Sequence, residues 1–239
     1  MNPGANDPHD HPAASEHGDS SGGWLRPAVF GVSDGLVSNA ALVLGVAAGG
    51  LSGSMVLLTG ISGLLAGAFS MAAGEWVSVQ AQREAVEREI AREREHHRRF
   101  PEQEAAHMRE ILVGTGLSEE LAAVLVKELS RSPEENLGFH TRMELGVDPN
   151  QLDSPWVAAS SSFVAFGIGA LVPLVPYLLP LPGSQVAVSI GLSALATFGV
   201  GALLARFTAR NPLWSGARQV LIAAMAAGVT MLIGSWLGA

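Results

Sequence analysis

The stretch MVLLTGISGLLAGAFSMAAGEWVSVQAQREAVEREIAREREHHRR, residues 55–99, decides how the chain is read. Its first half is apolar and studded with glycine, and its second half is almost solidly charged. No proline interrupts it, and Ala, Leu, Glu, Arg and Gln dominate the charged half, so helix propensity stays high across the change of character. The pattern predicts one long helix that leaves a bilayer near residues 77–81 and continues into water. At ~1.5 Å per residue, the segment 54–77 reaches across a ~30 Å hydrocarbon core with some tilt. Whatever happens in the membrane is thereby joined rigidly to whatever the charged half holds.

Composition points the same way. The 239 residues are 48% apolar with 28 glycines and a mean hydropathy of +0.31, which fits a polytopic membrane protein better than a soluble domain. The absence of cysteine excludes disulfides, thiolate metal sites and cysteine nucleophiles. A net charge of −8 argues against nucleic acid as a partner. Residues 1–22 lack a basic segment ahead of the first apolar stretch, so no secretory signal is expected.

Four segments follow from the chain in order. Residues 1–22 are polar, with Pro and Gly throughout, and are expected to form a disordered tail whose His9, His11 and His17 stand among acidic residues. Residues 23–81 carry two spans. In the first, Asp34 lies about eight residues beyond Arg26, or ~12 Å deeper. In the second, Gly60, Gly63, Gly67 and Gly74 define one small-residue face for close helix contact. Residues 82–153 read as an insert of three short helices packed on the long one, starting near Pro101, Ser118 and Pro133. The middle helix turns Leu121, Val124, Leu125 and Leu129 to one side. Residues 154–239 hold three more spans, at 155–179, 184–205 and 212–237, and Pro173 and Pro176 should kink or break the far end of the first of these. The fold class is therefore an all-α membrane protein of five spans, with a helical insert between the second and third.

Orientation follows from Lys and Arg. Ten of the fourteen lie in the insert, Arg206 and Arg210 lie between the last two spans, and Arg26 opens the first. The positive-inside rule then puts the N-terminus and the insert in the cytoplasm and the C-terminus on the opposite side. In a bacterial cell this is the inner membrane.

The residues with chemistry fall into two groups. Asp34 is a carboxylate inside an apolar span, which is costly and by default functional; the competing reading is an Asp hydrogen-bonded at a helix break. Met71 lies at comparable depth in the second span, and its thioether is a soft donor that Fe²⁺ tolerates and hard ions ignore. Glu75, one turn away on the same face, is either a second membrane-level ligand or a snorkelling interfacial residue. In the insert, Glu-x-x-His occurs twice, as Glu93 with His96 and Glu104 with His107, and His140 with Glu144 adds an i,i+4 pair. Three helices thus each offer an oxygen beside an imidazole, a set suited to Fe²⁺, Mn²⁺, Co²⁺ or Zn²⁺ rather than Ca²⁺ or Mg²⁺. The competing reading is a solvated face of Glu–Arg pairs, given Arg88, Arg92, Arg94 and Arg98 nearby.

At SDGLVSN (33–39), GISGLLAGAFSMAAGEW (60–76), PEQEAA (101–106) and RMELG (142–146), the chain resembles the vacuolar iron transporter family, as a bacterial-type member. The resemblance covers nearly everything beyond residue 24. It implies a homodimer of five-span subunits that exports Fe²⁺ and Mn²⁺ from the cytoplasm in exchange for protons, with no permanently bound cofactor. It implies Asp34 and Met71 as membrane ligands, and Glu93, Glu104 and Glu144 as metal-binding carboxylates of the insert. Against the plant pattern, His96 and His107 stand in place of Glu, His140 in place of Met, and Gly63 in place of a path-lining Glu, with Glu75 a few positions later. Two rival readings are a membrane-anchored di-iron oxidase, since Glu-x-x-His also serves ferritin-like bundles, and a metal sensor without flux.

Overall fold

The computed structural model describes residues 23–144, 146–149, 151–179 and 184–238, so the tail 1–22 lies outside the described residues. Among these the chain is helical with no strand: α1 (Leu25–Ala48), α2 (Gly53–Arg99), α3 (Pro101–Gly114), α4 (Glu119–Leu129), α5 (Pro133–Glu144), α6 (Pro155–Leu171), α7 (Val175–Leu178), α8 (Gln185–Phe207) and α9 (Pro212–Leu237). Five segments are long and apolar enough to cross a membrane: α1, α2, the run Pro155–Leu178, most of α8, and α9. The stretch quoted first lies wholly within α2, one unbroken helix of 47 residues, about 70 Å long at the usual rise. No proline or stable cap falls inside it to stop the ladder.

Helix ends follow local chemistry. Pro occupies the first turn of α3, α6 and α9, where its missing N–H costs nothing. Ser118 Oγ accepts the N–H of Leu121, and Asn211 Oδ1 accepts those of Leu213 at 2.9 Å and Trp214 at 3.3 Å. The third span breaks where its prolines predict: α6 stops at Leu171, tightens into a 3₁₀ turn over Val172–Leu174, and resumes as the single turn α7. Ser189 of α8 donates to the carbonyl of Pro173 at 2.8 Å, stitching the break to its neighbour.

The bundle is built around α1, which touches α2, α6, α8 and α9. Its contacts with α6 and α9 are backbone to backbone. A Cβ on Gly31 would lie 2.8 Å from the carbonyl of Ser162, and one on Gly35 or Gly169 would overlap the carbonyl of Phe166 or Val32. Gly234 meets the carbonyl of Gly45 in the same way. Such approach is how helices associate where lipid tails compete with any apolar side chain. The glycine face expected on α2 is looser. Gly60 meets Leu174 and Val43, Gly63 meets Leu42 and Asn39, and Gly67 meets the ring of Phe166, all through side chains, while a Cβ on Gly74 would meet nothing.

In the insert, α3 and α5 lie on α2, but α4 packs mainly on α3, which corrects the expectation of three helices resting on the long one. The shared core is Met108, Leu112, Ala122 and Val126. The buried face of α4 thus centres on Ala122 and Val126 with Leu125 beside it, while Leu121 and Val124 are 62% and 60% exposed. A three-turn helix held on one side buries a narrow stripe, and small Ala122 lets the axes approach.

The glycine contacts set a direct test. Gly169→Ala pushes a methyl into the Val32 carbonyl and should lower stability by about 1–3 kcal/mol. Gly228→Ala, where a Cβ meets nothing, should change it by less than about 1 kcal/mol. Thermal unfolding of the two variants in detergent compares them, and equal unfolding temperatures would refute the close-packing account.

Candidate metal centres

The first centre lies at the seam of α1, α2 and α6. Asp34, Ser38 and Asn39 of α1 and Gly63, Ser70 and Met71 of α2 line a cavity of about 360 Å³, with Phe166 of α6 at one wall. Asp34 and Met71 therefore share one space, a carboxylate and a thioether on facing helices. Helix α1 runs unbroken through Asp34, so the alternative of an Asp at a helix break is set aside. Ser38 Oγ donates to the Asp34 carbonyl at 2.6 Å, inside the helix. Asp34 itself is exposed on the single chain. Glu75 does not reach this cavity. It lines a second one of about 290 Å³ with Arg26, Ser78 and Gln82, and the two spaces share Phe30 and Met71.

The second centre lies in the insert, where the end of α2 meets α3 and α5. Its hub is His140, whose side chain is fully buried. On the Nδ1 side, His97 Nε2 is 2.7 Å away in a hydrogen bond and Glu104 Oε2 is 3.7 Å away. On the other side, Nε2 lies 3.1 Å from Glu144 Oε2 in an orientation that makes no hydrogen bond, which leaves this nitrogen buried without a partner. His107 Nε2 is 3.9 Å from Glu144 Oε1. Two groups of potential ligand atoms result, each within 4.8 Å: Glu93, His97, Glu104 and His140, and His107, His140 and Glu144. Three or four N and O donors at this spacing fit a first-row divalent ion after small closing movements. The unpartnered Nε2 is the atom whose burial such an ion would offset.

Two details differ from the spacing argument. His96 belongs to neither group: it is half exposed, 3.7 Å from Glu104 Oε1, and His97 takes the inward position. The sequence carries that signal as Glu93-x-x-x-His97, because i+3 and i+4 both share a face with i. Glu104 and His107 also fall on opposite sides of His140, so this pair is split between the two groups, while Glu93 with His97 and His140 with Glu144 each stay together on one helix. The arginines, meanwhile, are engaged elsewhere: Arg83 with Glu87, Arg92 with Glu89, Arg98 and Arg99 with Glu95, and Arg94 with Glu134. Among the described residues none pairs with Glu93, Glu104 or Glu144, so the Glu–Arg face and the Glu/His cluster coexist on different sides of α2.

Burial chiefly, and then the charges of Glu144 and Glu104, push the Glu93 carboxyl above its ordinary value against the opposing pull of His140 and His96. Burial, and then the charges of His140 and His96, push the His97 imidazole down, with Glu104 opposing. His97 thus keeps a free lone pair to lower pH than an ordinary imidazole, whereas Glu93 regains its proton earlier than an ordinary glutamate. A ligand binds metal only without its proton, so affinity must fall on acidification.

In the full-length protein, Mn²⁺ and Co²⁺ affinity should drop between about pH 7 and pH 5 by up to tenfold per unit for each proton displaced. His97→Ala should weaken binding about tenfold or more, and His96→Ala should leave it nearly unchanged. Calorimetry at several pH values reads both, and equal losses in the two variants would remove His97 from the site.

Comparison with known proteins matches these features to a family. The profile of the VIT family aligns with residues 25–235. The chain is 32% identical to vacuolar iron transporter 1 of Tulipa gesneriana, over 84% of this chain and 82% of that one. It is 33% identical to vacuolar iron transporter 1 of Eucalyptus grandis, over 87% and 84%. It is 36% identical to vacuolar iron transporter homolog 5 of Oryza sativa subsp. japonica, over 87% and 77%. Alignment through all five spans and both candidate centres, at this identity, means that the chain belongs to the VIT family.

Proposed function

We propose that this multi-pass membrane protein moves Fe²⁺, and with it Mn²⁺, out of the cytoplasm in exchange for protons. The observation that carries the reading is the single cavity that Asp34 and Met71 both line at the seam of three spanning helices. Relatives covering most of the chain are named iron transporters rather than enzymes, which supports metal transport as the activity. A carboxylate with a thioether favours Fe²⁺ over Mg²⁺ or Ca²⁺. Because a ligand must lose its proton to bind metal, protonation of Asp34 from the far side releases the ion and couples the two fluxes. Glu75, in the adjoining space, is the entry-side carboxylate.

Asp34 stands exposed on the single chain, and an ionised group facing hydrocarbon costs several kcal/mol. A second copy covering this face removes that cost, which favours a homodimer with the path at its interface. The arginine-rich insert favours a cytoplasmic placement, with the N-terminus on the same side. There the Glu/His cluster collects Fe²⁺, Mn²⁺, Co²⁺ or Zn²⁺ and delivers it toward Glu75. A di-iron oxidase is disfavoured: its ligands project from four helices of one bundle, whereas these converge from three onto one imidazole.

Flux into proteoliposomes under an imposed pH gradient tests the reading. Asp34→Ala should abolish Fe²⁺ uptake without unfolding the protein. Met71→Leu, close in volume, should keep flux and lose the preference for Fe²⁺. Wild-type uptake by the Asp34 variant would overturn the assignment.

A further inference from the structure

Asn39 lies five residues beyond Asp34 on α1, is 2% exposed, and lines the same cavity. Its Nδ2 donates to the carbonyl of Ala170 on α6 at 2.6 Å. That bond decides which way the amide faces, since a carbonyl can only accept: with nitrogen toward Ala170, oxygen must point the other way. Oδ1 is buried and has no hydrogen-bond partner. Opposite it is Gly63, where a Cβ would come within 3.0 Å of that oxygen. A buried amide oxygen without a donor is costly, and here the neighbouring helix also forgoes a side chain that would cover it.

We propose that Asn39 Oδ1 is a third ligand for the transported ion, a neutral hard oxygen beside the Asp34 carboxylate and the Met71 thioether. The proposal rests on the transport reading above and deepens it. Two of the three donors come from one helix at i and i+5, and the third from α2 across the cavity. Asn39 is fixed in place by α6, so the oxygen is presented without the ordering cost that a free side chain incurs. A neutral ligand adds affinity while adding no negative charge to the site. A carbonyl oxygen suits Mn²⁺ and Fe²⁺ better than it suits softer ions, so it broadens a site that Met71 biases the other way.

The test is the relative uptake of Mn²⁺ and Co²⁺ by the full chain in proteoliposomes under a pH gradient, read as KM for each ion. Asn39→Leu removes the oxygen and should raise KM for Mn²⁺ about tenfold and for Co²⁺ clearly less. Gly63→Ala leaves the Asn39 side chain in place and sets a methyl against the tip of Leu42 and the Asn39 oxygen, so it should shift the Mn²⁺/Co²⁺ ratio in the same direction. If Asn39→Leu fails to fold, Gly63→Ala decides alone: a shifted ratio supports the ligand, and an unchanged one overturns it. An equal loss for both ions in Asn39→Leu, with the ratio unchanged in Gly63→Ala, makes Asn39 a tie between α1 and α6 and nothing more. A wild-type protein that moves neither ion overturns the transport reading and this proposal with it. A wild-type protein that moves both, with unshifted variants, overturns this proposal alone.

Discussion

The backbone of α1 lies directly against the backbone of α6, with glycine on both sides and no side chain between, and the rest of the molecule depends on that approach. In hydrocarbon the helices gain nothing from excluding water, so contact must come from van der Waals fit and polar ties. Gly31, Gly35 and Gly169 supply the fit, and the Asn39 amide on the Ala170 carbonyl supplies the tie. The same approach carries Phe166 across to Gly67 of α2. The membrane cavity is the space left where three helices, two of them nearly touching, cannot all be close.

Helix α2 then joins the membrane cavity to the Glu/His cluster of the insert. Met71 and Glu93 are on one continuous helix, so their separation, about 33 Å at the standard rise, is set by covalent geometry rather than by domain docking. Proline at Pro101 ends the ladder immediately after the histidines and sends α3 back along α2. That reversal brings Glu104 beside His97, and α5 closes the cluster from the other side with buried His140. Charge on the exterior of α2 is neutralised by i,i+3 and i,i+4 Glu–Arg pairs, which leaves the inward carboxylates without cationic competitors.

Much of this was legible from the residues. Apolar runs about 20 residues long, bounded by Pro, Ser and Asn at their starts, mark five spans because a bilayer admits few alternatives to a helix. Pro173 and Pro176 mark a break because a missing N–H cannot be negotiated. Asp34, Met71 and the Glu/His runs stand out because such side chains are expensive or chemically distinct wherever they lie. These properties belong to single residues or to their spacing along one helix, and the sequence by itself determined them.

What only the tertiary structure decided is which face meets which partner. His96 and His97 both share a face with Glu93, and only the seating of α3 and α5 turns His97 inward. Leu121 and Val124 have the hydrophobicity of core residues, yet the packing of α4 on α3 selects the Ala122–Val126 stripe. Glu75 and Met71 lie one turn apart, but Met71 lines both spaces and Glu75 only the one that Asp34 does not line. Asn39 looks like an ordinary polar residue until Ala170, more than a hundred positions away, takes its nitrogen and leaves its oxygen buried toward Gly63 without a hydrogen-bond partner. Periodicity along a helix resolves position only to an arc of its surface, and the choice within that arc is made by packing against chain that is distant in sequence.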